Sequence, residues 1–280
     1  MKSMSSEWVT ENLENALGIW NEKLQEMWSL MTSSPSSFRG GTIWAAVLAV
    51  FRSLQSVGYA LLVLFFLADV LRSASSIQEL KRPENAVRMF LRFILSKTAL
   101  TYGLELLEAL IELFQGAAEK IFTLSGTEVP VVSSLPADLI SAAKELGFFE
   151  SIPVWVLSLL CTLMIWAISF VLILTVYGRF FRLFLLTAVA PLPLASLAGE
   201  QTKNIALSFL RNYAAVCLED VITALSLVIF CAFSSSPPQF SSGGSVSAIW
   251  SYMGELIFMM LVLSGAVKSA DRIAKEVMGA

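Results

Sequence analysis

Apolar and polar positions alternate along this chain in long helical blocks. From Glu7 to Met31, the residues Leu13, Leu17, Trp20, Leu24, Met27 and Met31 recur at steps of four and three. That spacing lines them up as one seam on a helix, a candidate contact with a partner or with another copy of the chain. The opposite face carries Glu7, Glu11, Glu14, Glu22 and Glu26 against Lys23. A helix resting on anionic lipid carries Lys and Arg there instead. The acidic face therefore favours packing of the seam against protein, whether a partner, a second copy or the chain's own bundle.

A serine-rich break at 33–37 and the Gly40-Gly41 pair separate this helix from a series of long apolar runs. Five spans are expected at about 42–71, 87–114, 153–177, 204–233 and 247–267, each long enough to cross about 30 Å of hydrocarbon. The second is the most polar, and the third carries no charge. A loop over 116–151 is expected to hold a short amphipathic piece near 139–149. An uncharged loop over 234–245 precedes the last span. The expected class is all-α: a polytopic transmembrane helical bundle over 42–280, preceded by an extracytoplasmic amphipathic helix and linker over 1–41.

Composition agrees with a lipid-facing surface. Hydrophobic residues make up 56% of the 280 and charged residues only 15%, with a mean hydropathy of +0.72. Soluble domains have about 25% charged residues, so the polar surface here is too small to cover a water-soluble particle. A net charge of −3 disfavours a protein that coats nucleic acid. The absence of histidine removes most zinc sites and the Ser-His and Cys-His nucleophile pairs. Cys161, Cys217 and Cys231 all lie in apolar runs and read as small buried hydrophobes. The first residues lack a basic start followed by an apolar core, so the first span is expected to direct insertion.

Lys and Arg set the expected orientation. Eleven of them fall after the first span, after the third span and in the tail. Five fall on the opposite side: Lys2, Lys23, Arg39, Lys120 and Lys144. The N-terminus is therefore expected outside and the C-terminus in the cytoplasm. If residues 178–203 crossed the membrane, Lys268, Arg272 and Lys275 would be placed outside. Pro191 and Pro193 also remove backbone donors in mid-segment. A broken, re-entrant or interfacial segment is expected there.

Ionisable groups inside spans are costly and usually face protein or water. Glu105, Glu108 and Glu112 share one helical face with Lys97 nearby, either as a polar lining or as a solvated outer end. Arg211 and Glu219 lie two turns apart on roughly one side, while Asp220 points elsewhere. They read as salt bridges that order the bundle or as groups along a passage, with Arg52 a further candidate partner for an acid. No phosphate loop, His-Glu-x-x-His, Cys-x-x-Cys or Gly-x-Ser-x-Gly motif occurs. Hence no enzyme activity, cofactor or metal is expected.

The stretch GRFFRLFLLTAVAPLPLASLAGE (178–200), followed by SFLRNY (208–213), resembles the TrbL family. Its members are polytopic membrane subunits of conjugative type IV secretion systems, here of the kind found in mobile genetic elements of Gram-positive bacteria. The resemblance is carried by an aromatic-basic start, an Ala-Pro-x-Pro core and a Leu-Arg-Asn-Tyr opening to the next helix. It covers about 150–270, the N-terminal third being similar in layout only. It implies a multi-copy translocation channel in the cell membrane. Its partners would be other secretion membrane subunits and transfer ATPases, with single-stranded DNA–relaxase as transient cargo. Arg179, Arg182 and the 190–195 turn would then face cargo or ATPase, or serve only as anchor and helix break. Two other readings remain: a small-solute transporter subunit, which should show an inverted repeat that is absent here, and a membrane scaffold without DNA cargo.

Overall fold

The computed structural model describes residues 2–75, 83–125, 140–141, 148–234 and 246–280. The expected amphipathic piece near 139–149 and the loop over 234–245 fall largely outside the described residues. Among those described, the regular structure is helical: α1 (Lys2–Thr32), α2 (Thr42–Ser75), α3 (Pro83–Thr101), α4 (Gly103–Ser125), α5 (Phe148–Val189), α6 (Pro191–Ala195), α7 (Lys203–Ser234) and α8 (Val246–Met278). The chain is an all-α polytopic protein.

Among the described residues, four helical stretches are long and apolar enough to cross a membrane: Thr42–Ser73, Ile152–Val189, Lys203–Phe233 and Ile249–Met278. The expected span over 87–114 is not among them. That stretch is two helices, separated at Tyr102. Its charges, Arg88, Arg92, Lys97, Glu105, Glu108 and Glu112, keep either helix from presenting a long uncharged window. The helical ladder still runs through the break, because Tyr102 N–H donates to Thr98 O (2.9 Å) and Leu106 N–H to Tyr102 O (3.0 Å). The third expected span also differs. Helix α5 continues twelve residues past Tyr177, through Gly178, Arg179 and Arg182, and the break is confined to 190–202.

The chain forms two compact units, the first from 1–32, 118–177 and 222–270, the second from 33–117, 178–221 and 271–280. In the first, the whole seam of α1 is buried: Leu13, Leu17, Trp20, Leu24, Met27 and Met31 are each at most 4% exposed. Burying such side chains contributes roughly 1.5–3 kcal/mol each. Helix α1 runs along α5 in the same direction. Asn12 Nδ2 donates to Ser158 Oγ (3.5 Å), Thr162 Oγ1 donates to Asn12 O (3.2 Å), and Tyr177 Oη donates to Glu26 Oε1 (2.9 Å). Trp28 packs on Phe122 of α4. The seam is thus covered by the chain's own helices and is not open to a partner or second copy.

In the second unit, the turn after α1 is closed by Ser37 N–H to Ser34 O (2.9 Å) and Phe38 N–H to Pro35 O (3.3 Å). Gly40 (φ 71) and Gly41 (φ 76) then take left-handed conformations that suit glycine. Phe38 stacks on Phe180 at 4.9 Å, and Trp44 lies near Phe184. The α3–α4 pair runs antiparallel to α2. Asp69 meets Arg92, Phe66 meets Phe93, Tyr59 Oη lies 2.9 Å from Thr101 Oγ1, and Gln115 Nε2 donates to Ser33 O (2.9 Å).

Candidate functional site

The break after α5 organises the second unit. Pro191 has no N–H, so it cannot continue the α-helical ladder, and Ala190 N–H instead donates to Thr187 O (3.3 Å). The short α6 then starts with proline at its first position, where the missing donor costs nothing. Ser196 Oγ donates to Pro193 O (2.6 Å) and Thr202 Oγ1 to Ser196 O (2.7 Å). Pro191, Leu194, Ala195, Ser196 and Ala198 are buried. Irregular backbone in a membrane protein is tolerated when protein covers and satisfies it in this way.

Close approach to α2 and α4 holds the break in place. A Cβ on Gly58 would lie 2.9 Å from Pro191 O, and one on Gly103 would lie 2.8 Å from Leu194 Cδ1. The turn that follows is clamped by polar groups. Arg92 pairs with Asp69 (3.3 Å) and Glu200 (3.5 Å), Glu200 N–H donates to Asp69 Oδ1 (3.3 Å), and Arg72 bonds to Gln201.

On the other side of the break lies an ionic network from three helices. Arg179 and Arg182 sit one turn apart on α5, and Glu219 and Asp220 are neighbours on α7. Arg179 pairs with Asp220, with side-chain exposures of 5% and 13%. Arg182 pairs with Glu219 (3.4 Å) and with Asp271 of α8. Lys275 joins Asp271 at 3.0 Å. Three cations and three acids leave this network neutral, the condition under which charge is retained inside a bundle. Nearby, Thr187 and Tyr213 share a buried hydrogen bond of 2.9 Å between their hydroxyls. A cavity of about 10 Å³ lies against Arg179 and Asp220, lined also by Pro35, Ile111 and Cys217. That is the size of a single water at most.

The residues singled out from sequence fall into distinct groups. Arg179, Arg182, Glu219 and Asp220 come together, with Pro191 and Pro193 a few residues further on. Arg211 does not join Glu219: it is exposed, and among the described residues neither it nor Arg52 forms an ion pair with an acid. Glu219 and Asp220 do form salt bridges, but with arginines of α5 in place of Arg211. Glu105 and Glu112 are exposed and Glu108 is half-buried. Glu108 and Glu112 line a cavity of about 220 Å³ with Ser34, Pro35, Ser36, Trp44 and Ile111. Sequence reasoning missed Asp271, Lys275, Tyr213 and Gly58. The tail charges could have been found as a stripe, since Asp271 and Lys275 are one helical turn apart.

The three cysteines are free thiols. No curated protein and no solved structure matches the chain. A family described as TrbL/VirB6 plasmid conjugal transfer like protein matches residues 20–191. The match takes in the C-terminal part of α1, all of α2 to α5 and the start of the break. It therefore lies further toward the N-terminus than the resemblance over 150–270, and the SFLRNY segment falls outside it. Covering well over half of a chain with four apolar helices of spanning length, it identifies a membrane protein of conjugal transfer: the chain belongs to the TrbL/VirB6 plasmid conjugal transfer like family.

Proposed function

We propose that this chain is a core subunit of the translocation channel of a conjugative type IV secretion system, present in several copies. It helps single-stranded DNA bound to its relaxase cross the cell membrane, together with other membrane subunits and the transfer ATPases. The observation that carries this reading is the family match over 20–191, which covers α2 to α5 and the start of the break. Strain of the Gram-positive mobile-element type is the expected setting.

The N-terminus lies outside and the C-terminus in the cytoplasm. This arrangement needs an odd number of crossings. The α3–α4 pair, antiparallel to α2 from Asp69–Arg92 to Ser33–Gln115, supplies the fifth. The division of Lys and Arg, nine to five once the paired Arg179 and Arg182 are set aside, supports the same orientation. A cysteine at Asn15 should react with an impermeant thiol reagent added to intact cells, and one at Met278 should not. The reverse pattern would overturn the orientation.

An in-frame deletion tests the function directly. DNA transfer in a mating assay should fall to background and return with the gene supplied in trans. Transfer at wild-type frequency without the gene would defeat the reading.

A further inference from the structure

A charge without a partner sits on α2. Thr42–Ser73 is the least covered of the four apolar stretches: 11% of its most apolar window is buried, against 39%, 44% and 33% in the other three. Arg52 lies ten residues into it, about 15 Å along the helix. It is exposed and, among the described residues, forms no ion pair. An arginine inside a spanning stretch faces protein or water, not lipid tails.

The surroundings of Arg52 are polar in a regular way. On α2, Arg52, Ser56 and Tyr59 are four and three apart and share one face. On the α3–α4 pair, whose ladder runs on through Tyr102, Lys97, Thr101 and Glu105 recur every four residues and also share a face. The Tyr59 Oη and Thr101 Oγ1 atoms, 2.9 Å apart and exposed, join the two faces into one patch. The helices run in opposite directions, so Arg52 and Glu105 lie on the same side of that contact. Arg52 is seven residues from Tyr59, about 10 Å, and Glu105 is four from Thr101, about 6 Å. The two therefore stand within one helical turn of the same level. A Cβ on Gly103 would lie 3.9 Å from Phe51 Cζ, which gives the same register at their neighbours. Glu105 is exposed and, like Arg52, has no ion-pair partner among the described residues. Beside them α2 exposes Ala49, Ser53, Ser56 and Ala60 at steps of four, three and four. Small side chains at this spacing let another helix come close.

We infer that this face of α2 and α3–α4 is where a second copy of the chain packs, Arg52 of each copy meeting Glu105 of the other. Charge selects the occupant. A two-fold axis along the membrane normal keeps every residue at its level and exchanges the two sides of the patch. A cation and an acid at one level are then self-complementary, each meeting its opposite in the other copy. Two Arg–Glu pairs replace four unpaired charges, and the small residues of α2 lie against α3–α4 of the second copy. An acid from an unrelated membrane helix would satisfy Arg52 but leave Glu105 bare. The inference deepens the reading of several copies, and it rests on that reading and on α2 and α3–α4 both crossing the membrane.

Exchanging the charges tests it. Tagged and untagged full-length chains are produced together, and the untagged chain that the tag recovers from mild detergent is measured. Wild-type chains should recover one another. Arg52→Glu paired with itself, and Glu105→Arg paired with itself, should each lower recovery about tenfold or more, because like charges now face each other twice. A tagged Arg52→Glu chain produced with an untagged Glu105→Arg chain should recover it at the wild-type level. In that mixture one pair is reversed and the other is native. Each variant alone should unfold at the wild-type temperature, since neither side chain has an ion-pair partner within one copy.

Three outcomes overturn the inference. Wild-type recovery by both variants paired with themselves means that copies meet elsewhere, and it leaves the reading of several copies standing. Loss of recovery that mixing does not restore places the Arg–Glu pair inside one chain. Wild-type chains that fail to recover one another remove the several-copy reading and the contact together. The mating assay reports on DNA transfer independently of all three.

Discussion

Removing the Arg179 guanidinium tests whether the ionic network holds the second unit together. Its partner, Asp220, is 13% exposed, and Arg179 itself is 5% exposed. Arg179→Gln keeps the length and polarity of the side chain but strands the carboxylate in the bundle. Breaking a buried pair from one side costs about 3–5 kcal/mol. For a domain of 150–250 residues that corresponds to a fall in melting temperature of roughly 6–20 °C. The matched apolar variant, Arg179→Met with Asp220→Leu, removes both charges and should recover most of the loss, because a buried pair replaced by apolar groups is often neutral. Arg182→Gln should cost less, since Arg182 is 39% exposed and water screens what remains. Thermal unfolding of the detergent-solubilised protein, followed by intrinsic tryptophan fluorescence and by trypsin resistance, reads all three. The reasoning is refuted if Arg179→Gln melts within about 2 °C of wild type, or if the double variant is no more stable than the single.

Three further outcomes can be checked in the same preparation. Gly58→Ala should destabilise by about 1–3 kcal/mol, the usual cost of overpacking, because the added methyl would meet the Pro191 carbonyl at 2.9 Å; Gly18→Ala should not, its Cβ meeting nothing. Tyr213→Phe should cost about 1 kcal/mol by leaving the Thr187 hydroxyl without this partner, and Thr187→Val should cost no more when added to it. In α1, the hydrogen bond and charge of Lys23 hold the Glu26 carboxyl below its ordinary value of 4.5, and the Tyr177 hydroxyl adds to this, while Glu26 raises Lys23. A depressed carboxylate contributes stability above its unfolded value and loses it as pH falls through the folded one. A raised amine keeps its contribution below 10.5 and loses it above. A pH scan of unfolding should show a loss below about pH 4.5 that Glu26→Gln flattens, worth about 0.2–1 kcal/mol for a partly exposed pair. An unchanged acid limb in Glu26→Gln counts against it.

Much of this architecture can be read along the chain, and the places where reading stops share a cause. The α1 seam is legible because six apolar residues at heptad spacing can only be satisfied together, although spacing alone does not say what covers them. The starts of α2 and α7 follow from where apolar runs begin. Their ends and continuations are harder, because a hydropathy reading stops at the first charge while a helix stops only where its ladder does. Gly178 and Arg179 close the uncharged window after Tyr177, yet α5 runs on to Val189. What ends it is Pro191, whose missing donor is legible as a break. The same misreading moves Arg179 and Arg182 out to a cytoplasmic flank and leaves Glu219 seeking a partner at Arg211 on its own helix.

The helical phase shows why the pairing takes the form it does. Arg179 and Arg182 are three apart, so they lie on one face of α5 and about 4.5 Å apart along it. Glu219 and Asp220 are adjacent, so they diverge by about 100° around α7. Two arginines stacked on a facing helix can take one of these diverging acids each. Asp220 takes Arg179 and Glu219 takes Arg182. Arg182, the more exposed of the two, has donors left for Asp271 of α8, which in turn holds Lys275. The order of connection, α7 to α5 to α8, makes α5 the common partner, and α5 is also the helix whose end is locked by the Pro191 turn against Gly58. A variant that loosens the turn should therefore weaken the network as well. Combining Gly58→Ala with Arg179→Gln should give a loss smaller than the sum of the two, because the first already frees part of what the second removes. Strict additivity would mean the turn and the ionic network act independently, and that α5 does not transmit one to the other.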